Sequence, residues 1–385
     1  MSARHVVLTA ALAASLAVSC SADDGGDDAR TSAPTTASPS SPAHPSTPLR
    51  TGTQSPTASP VPGPVAPSSV EEIVTGLDAP WAIAFLDDGA ALVTQRDTDT
   101  VVRVDDTGDV TDVGTVPGVE GGGEGGLLGL TLDPADPSML YVYATLGAQN
   151  AVMRTTFSDG ALGEFETVLD GIPAGSLHNG GRLRFGPDGM LYVSTGETGN
   201  PDDAQDVENL GGKILRITPD GEIPPDNPID GSPVYSYGHR NVQGLAFDDD
   251  GRLWASEFGD RDADELNLIE PGGNYGWPEA EGITGDDRFI DPEVEWRPTA
   301  VASPSGLAYV RDTFFVTALR GERLWQVPLV DGEAGEPTAY LEDFGRLRDA
   351  AVAPDGTLWV LTNNTDGRGE PRDDDDRILR VQLAP

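Results

Sequence analysis

Of the four histidines in the 385 residues, only His178 and His239 lie outside the polar N-terminal stretch, so imidazole chemistry near neutral pH would fall on one of them. His178 opens HNGGRLRFGPDG, just ahead of an apolar alternation. In a Gly-rich loop at a strand entrance a histidine is placed to meet a ligand, whereas a core histidine would stand inside the alternation; the residues alone leave both readings open. His239, in YSYGHRN, reads better as a hydrogen-bonded turn residue. Arg346 and Arg348 (GRLRD) alternate on a strand and project from one face. Two such guanidiniums repel unless an anion lies between them or neighbouring carboxylates pair with them. Arg240, beside Asn241, and Arg320 in ALRGERLW are expected to begin two other repeats in equivalent places, which favours a shared polyanionic ligand.

The elements that must position these groups repeat six times. Trp81–Thr94, Leu128–Thr145, Arg182–Thr195, Gln243–Ser256, Gly306–Thr317 and Arg348–Thr362 each read as an apolar alternation, a turn based on Asp-Gly or a near substitute, and a second apolar strand. Period-2 runs around such a turn predict β-hairpins, and recurrence at roughly 45–60 residues is propeller-blade spacing. The fold expected is therefore all-β, a six-bladed β-propeller of four-stranded antiparallel blades, with strand ends and loops converging on one axial pocket.

Composition divides the chain. Residues 1–19 carry Arg4, an apolar stretch Val6–Val18 and then Ser19-Cys20, the layout of a secretory signal. Cys20 is the single cysteine, and its place after the apolar stretch resembles the lipid-modified cysteine of bacterial lipoproteins, with Ala17 where that motif usually has Leu. Residues 20–69 are Ser, Thr, Pro, Ala and Asp with few large apolar side chains, a predicted disordered tether. Residues 70–385 are the expected propeller. A formal charge of −40 repels nucleic acid and anionic lipid, so neither is an expected partner. Gly121–Gly126 (GGGEGG) matches a dinucleotide-binding fingerprint only formally, because a strand pattern rather than a helix follows it. Asp373–Asp376 lacks EF-hand spacing and reads as a solvated acidic loop.

Taken in order, GLDAPWAIAFLDDG, GEGGLLGL, HNGGRLRFGPDG, YSYGHRNVQGLAF, DELNLIEPGGNYGWP, the ALRG segment and GRLRD give this chain a resemblance to the soluble quinoprotein aldose (glucose) dehydrogenases. Those are calcium-dependent pyrroloquinoline quinone (PQQ) enzymes on a six-bladed propeller. The resemblance implies that His178 is the general base for the sugar C1 hydroxyl, supported by Glu197 where the glucose enzymes have Asp. It implies that Arg240 and Asn241 contact the quinone, that Arg320, Arg346 and Arg348 hold the PQQ carboxylates, and that Glu124 stands where a cofactor-contacting Gln is usual. A catalytic calcium would be held partly by backbone carbonyls of the Phe258-Gly259-Asp260 segment, with Asp260 replacing a proline, and a structural calcium by Glu265 and the Tyr275 carbonyl.

The implied reaction is oxidation of an aldose at C1 to the lactone, with hydride passing to the quinone and electrons then to an external acceptor, a quinone or cytochrome. The expected protein is a monomer, exported and lipid-anchored at the extracellular face of the cell membrane. Two rivals share the fold. A propeller lactonase would bind a metal through several acidic or Asn side chains and has no evident use for Arg346 and Arg348; a non-catalytic surface propeller would have no need of His178, Arg240 and the arginines together.

The Cys20 reading predicts that the protein fractionates with membranes, and that Cys20→Ser carried by a plain signal peptide is soluble. Stable anchoring needs more than one acyl chain. Wild-type protein found wholly in the medium would exclude the anchor.

Overall fold

Each of the six repeated hairpins forms the inner two strands of one antiparallel sheet. The computed structural model describes residues 63–385; the leader, Cys20 and nearly all of the expected tether lie outside the described residues. Blade 1 runs Pro80–Phe85, Ala91–Gln95, Thr100–Val104, Val110–Thr115, and blade 2 Leu127–Leu132, Met139–Leu146, Gln149–Ser158, Glu166–Pro173. Blade 3 is Leu183–Phe185, Leu191–Ser194, Lys213–Ile217, Val234–Tyr237, and blade 4 is Val242–Phe247, Leu253–Glu257, Asp264–Ile269, Val294–Trp296. Blade 5 is Pro304–Tyr309, Thr313–Ala318, Arg323–Val330, Thr338–Tyr340. Blades 2 and 5 each carry one extra two-residue strand, Ala161–Leu162 and Glu333–Ala334.

Turn chemistry sets the hairpins. In blades 1, 3, 4 and 6 the Asp-Gly turns place Gly89, Gly189, Gly251 and Gly356 at positive φ, where a side chain would be strained. Blade 5 has no glycine in its turn; Arg311 and Asp312 take φ of 48° and 53° instead. Two successive left-handed residues give the twist that a two-residue hairpin requires.

Blade 6 joins the two ends of the described chain. Leu347–Val352, Leu358–Thr362 and Ile378–Ala384 are completed by Ala66–Val74, which pairs in register Val70↔Val381 and Glu72↔Leu379. The folded unit therefore begins before the expected boundary at residue 70. Val65 is already buried, donating its N–H to Thr313 Oγ1 at 2.9 Å and accepting from Gln326 Nε2 at 2.8 Å. The polar sequence PSSVEE conceals this strand, because only its outer-edge hydrogen bonds are needed.

The core lies between blades rather than at the axis. Trp254, Phe314, Val316 and Val327 fill the gap between blades 4 and 5, and Phe315, Leu347, Val360 and Leu379 that between blades 5 and 6. At the axis, the Arg182 guanidinium just ahead of the blade 3 inner strand meets Asp349 of blade 6 at 2.8 Å. Arg182 Nε also donates to the Gln243 carbonyl of blade 4, and Asp349 Oδ2 accepts the Ile83 N–H of blade 1.

Removing residues 63–74 should leave the Ile378–Ala384 edge unpaired and lower the thermal midpoint by roughly 10 °C, several kcal/mol for a unit of this size. A chain beginning at Gly63 should melt like the full chain. Circular dichroism melts of the two forms decide, and equal midpoints would show that the closing strand contributes nothing.

Candidate active site

The inner strands begin, and the second strands end, at one rim of the propeller. There Trp81, Glu124, His178, Arg240, Asn241, Gln243, Arg320, Arg346 and Arg348 line a cleft of about 390 Å³. The structure thus brings together, from separate blades, seven residues singled out in the sequence, with Glu197 directly behind them.

His178 sits at φ 53° in the loop before blade 3, a conformation uncommon for a residue with a Cβ. The loop is over-determined. Asn179 exchanges hydrogen bonds with both backbone groups of Gly175, its Oδ1 accepts from Asn150, and its carbonyl accepts the Tyr143 hydroxyl. Gly180 donates to Asn241 Oδ1 at 3.0 Å. A Cβ at Gly196 would stand 1.9 Å from the His178 carbonyl oxygen, so this approach requires glycine. The imidazole Nδ1 lies 2.5 Å from Oε1 of Glu197, which is only 2 % exposed and accepts the Gly199 N–H through its other oxygen. With Nδ1–H donated to the carboxylate, Nε2 keeps a lone pair.

Glu124 takes the His178 N–H at 2.8 Å and meets Arg368 Nη1 at 2.6 Å. Burial works against its charge, but these two donors hold the carboxyl below its ordinary value. The Glu124 carboxylate is therefore neutralised within the protein. His239 is fully buried, bonded to Glu257 and Ser236 at 2.8 Å each and stacked on Tyr275, a structural histidine as expected.

Arg346 and Arg348 line the same cleft, and a neighbouring carboxylate pairs with them. Asp366 reaches Arg346 at 2.8 Å and Arg348 at 3.8 Å, while Arg348 Nη1 donates to Gln243 Oε1 at 2.8 Å. The Nε of Arg348 is buried with no partner, and burial pushes this guanidinium down to about 9 despite Asp366. Arg240 contacts Asp260 at 3.3 Å and stacks over Trp277, and its Nε is likewise buried without a partner. Arg320 lines the cleft but does not begin a blade. It follows the second strand of blade 5, so it reaches the rim from the exit side, whereas Arg240 stands before the blade 4 inner strand.

Gly259 and Asp260 lie beside the cleft, in the loop after the second strand of blade 4; Phe258 of that loop lines it. Glu281 Oε1 gathers the N–H groups of Asp260, Arg261, Asp262 and Ala263 at 2.6–3.2 Å, and Asp264 takes that of Gly259 at 2.9 Å. Glu265 and Tyr275 do not line the cleft. They border a small neighbouring cavity with Glu257, Gly259 and Glu281, and burial and the Glu257 charge push the Glu265 carboxyl up. Opposed carboxylates of this kind suit a hard cation. Among the described residues no three acidic, His or Cys groups converge on one point, so a cation here would need backbone carbonyls as well.

Arg96, Gln243, Asp366 and Arg368 were not anticipated from the sequence. One signal was available. Arg96, Arg320 and Arg368 all follow the second strand of a repeated hairpin, the position that delivers a side chain to this rim.

The family model described as glucose/sorbosone dehydrogenase matches residues 77–379. The chain is similar to the PQQ-bound aldose sugar dehydrogenase of Streptomyces coelicolor, with 52% identity and a TM-score of 0.79 over 83% of this chain and 100% of that one. A glucose dehydrogenase-like oxidoreductase structure from Thermus thermophilus is 43% identical with a TM-score of 0.77, over 82% and 99% of the two chains. Aldose sugar dehydrogenase YliI of Escherichia coli is 34% identical over 78% of this chain and 92% of its own length.

Asp366, with its side chain 1 % exposed, is the counter-charge of the arginine pair. Burial opposes its ionisation, yet Arg346 and Arg348 hold its carboxyl below the ordinary value. A depressed folded-state value means that this stabilisation is present above about pH 4 and is lost as pH falls through the folded value. Asp366→Asn should cost about 3–5 kcal/mol at neutral pH by leaving buried guanidiniums uncompensated, and should flatten the acid side of the stability profile. Urea titrations across the acid range measure both, and an unchanged profile would show that the carboxylate has no such role.

Proposed function

Because the chain belongs to the glucose/sorbosone dehydrogenase family, we propose that it oxidises the C1 hydroxyl of an aldose to the lactone, with PQQ held in the arginine-lined cleft and His178 as general base. The enzyme is a PQQ-dependent sugar oxidoreductase, a reading supported by its likeness to a PQQ-bound aldose sugar dehydrogenase. The observation that carries the finer reading is the convergence of six arginines, Arg96, Arg240, Arg320, Arg346, Arg348 and Arg368, around His178 in a protein of charge −40.

The residues fit the cofactor. Buried Nε donors of Arg240 and Arg348 have no protein acceptor, and a ligand with three carboxylates would supply acceptors to such groups. Arg320, Arg346 and Arg348 would hold the carboxylates, with Arg240 and Asn241 beside the quinone. When bound, PQQ supplies the two-electron acceptor for the C1–H bond, which no side chain offers. Calcium would be held beside it by the Phe258–Asp260 loop, and a second ion by Glu265 and the Tyr275 carbonyl.

The chain's own part is proton transfer and charge placement. Glu197 accepts from Nδ1, so Nε2 is the atom that takes the C1 hydroxyl proton, and the buried carboxylate stabilises the imidazolium that results. Glutamate in place of the usual aspartate still reaches, at 2.5 Å. The Glu124–Arg368 pair fixes the His178 backbone at the mouth. A lactonase reading gains little from the likeness to a gluconolactonase-type structure, which at 15% identity and a TM-score of 0.51 extends only to the fold. The reading includes a monomeric, exported, lipid-anchored enzyme that passes electrons to an external quinone or cytochrome.

Apo-protein reconstituted with PQQ and calcium should show a quinone absorbance that bleaches on adding an aldose. His178→Ala should bind PQQ as wild type does but turn over roughly 10²–10⁴-fold more slowly. Arg348→Ala should need about ten- to a hundred-fold more PQQ for half-reconstitution, with most activity recovered at saturation. Superimposed titration curves for Arg348→Ala and wild type would remove PQQ from this blade, and a His178→Ala rate above half of wild type would remove the base.

A further inference from the structure

We propose that Lys213, the single lysine of the chain, is a positioning residue: its ammonium pins the loop that carries Glu197 and joins it to the loop that carries Arg240. In its kinetic part the inference rests on the dehydrogenase reading. Lys213 opens the third strand of blade 3 and is fully buried. An ammonium has three N–H donors, and three backbone carbonyls take them here, those of Gly211 at 2.6 Å, Asp203 at 2.7 Å and Ala204 at 3.1 Å. Burial pushes the group down to about 8 against the Asp206 and Asp203 charges, so it is an ammonium at neutral pH.

The three carbonyls belong to one loop, which leaves the second strand of blade 3 and returns at Lys213. Thr195 closes its base, giving its N–H to the Lys213 carbonyl and accepting the Lys213 N–H at Oγ1, each at 2.9 Å. Within the loop the Asp203 N–H goes to the Asn200 carbonyl at 3.0 Å, and the Asn200 N–H to that of Glu197 at 2.9 Å. Three hydrogen bonds in line thus connect the ammonium to the backbone of the residue whose carboxylate meets His178 Nδ1. The Ala204 carbonyl has a second donor, the N–H of Gly238 at 2.9 Å, two residues before Arg240. The Arg240 carbonyl in turn accepts the Glu197 N–H at 2.9 Å, so the two loops are joined at both places. An apolar side chain at 213 would suit a strand in which Ile214, Leu215 and Ile217 are buried, but it would withdraw all three donors from the loop.

The test uses the whole protein. In Lys213→Met, kcat should fall about ten- to a hundred-fold, the loss that a displacement of about an ångström brings at a reacting centre. The acid limb of the rate profile should move to lower pH, as in Glu197→Gln, because a displaced carboxylate stabilises the imidazolium less. The Nδ1–H proton resonance of His178, identified by its absence from His178→Ala, reads the same contact without turnover and should weaken in Lys213→Met. An unmoved resonance, whatever the melting point does, is the result of a merely structural lysine and would overturn the proposal. If Lys213→Met does not fold, Lys213→Gln, which keeps two N–H donors, should show the same changes; failure of both to fold would overturn a role confined to the loops. If wild type reconstituted with PQQ and calcium oxidises no aldose, the dehydrogenase reading fails and the resonance alone decides on Lys213.

Discussion

The ion pair between Arg182 and Asp349 is the contact on which both ends of the propeller depend. Inner strands of a propeller present a free edge to the axis, so no ladder of hydrogen bonds spans it. Here side chains make the crossing: one guanidinium and one carboxylate connect blades 3 and 6 directly, and reach backbone groups of blades 4 and 1. A buried pair of this kind adds little net stability over an apolar filling, but it fixes which blades face each other across the axis. It also builds the floor of the cleft. Arg182 lies 4.4 Å over the Trp81 ring and Arg348 5.7 Å from it, so the tryptophan is held between the axial pair and the cleft-lining arginines.

Above that floor the protein works against its own charge. Sixty-four acidic residues face 24 basic ones, yet six of the arginines converge on one cleft. Four carboxylates, Asp97, Glu124, Asp260 and Asp366, keep the cluster from repelling itself apart, yet the Nε donors of Arg240 and Arg348 stay unmet. The residual positive field is local, because low-dielectric walls limit its screening by the acidic exterior. Orientation of His178 meets that cluster at one point, the N–H bond to Glu124. It rests on a left-handed backbone, the Asn179 bonds beneath it and the glycine at 196, which admits the His178 carbonyl.

The blade count was legible because an edge-to-edge hairpin imposes period-2 burial and a turn that must go left-handed, and both leave marks in sequence. His178, Arg240, Arg346 and Arg348 were legible because each opens a repeat, where the next strand fixes its direction. What failed to show had a different physical origin. Ala66–Val74 is an outer strand, so backbone pairing decides it and its side chains carry no apolar pattern. Asp366 and Arg368 come from a loop after the second strand of blade 6, and only three-dimensional closure tells which partner each meets. The carboxylate between the two arginines and the unmet Nε of Arg348 are a matter of ångströms, which spacing along a strand does not resolve.

Closing the ring with the first strand has a consequence for how the molecule comes into being. Ser68 and Gln382 hydrogen-bond across 314 residues of chain. Five blades are each made of neighbouring segments and are complete as soon as they are synthesised, but the sixth waits for the last residues and then must recapture the first strand. Loop-closure entropy for so long a span grows only logarithmically, yet so non-local a contact belongs to the slow end of folding rates. Until that moment the strand Ile378–Ala384 presents an open edge, and a second unfinished molecule offers the same Ala66–Val74 sequence. The closing step is thus a competition between a molecule's own beginning and its neighbour's, and concentration during folding decides the yield of closed rings.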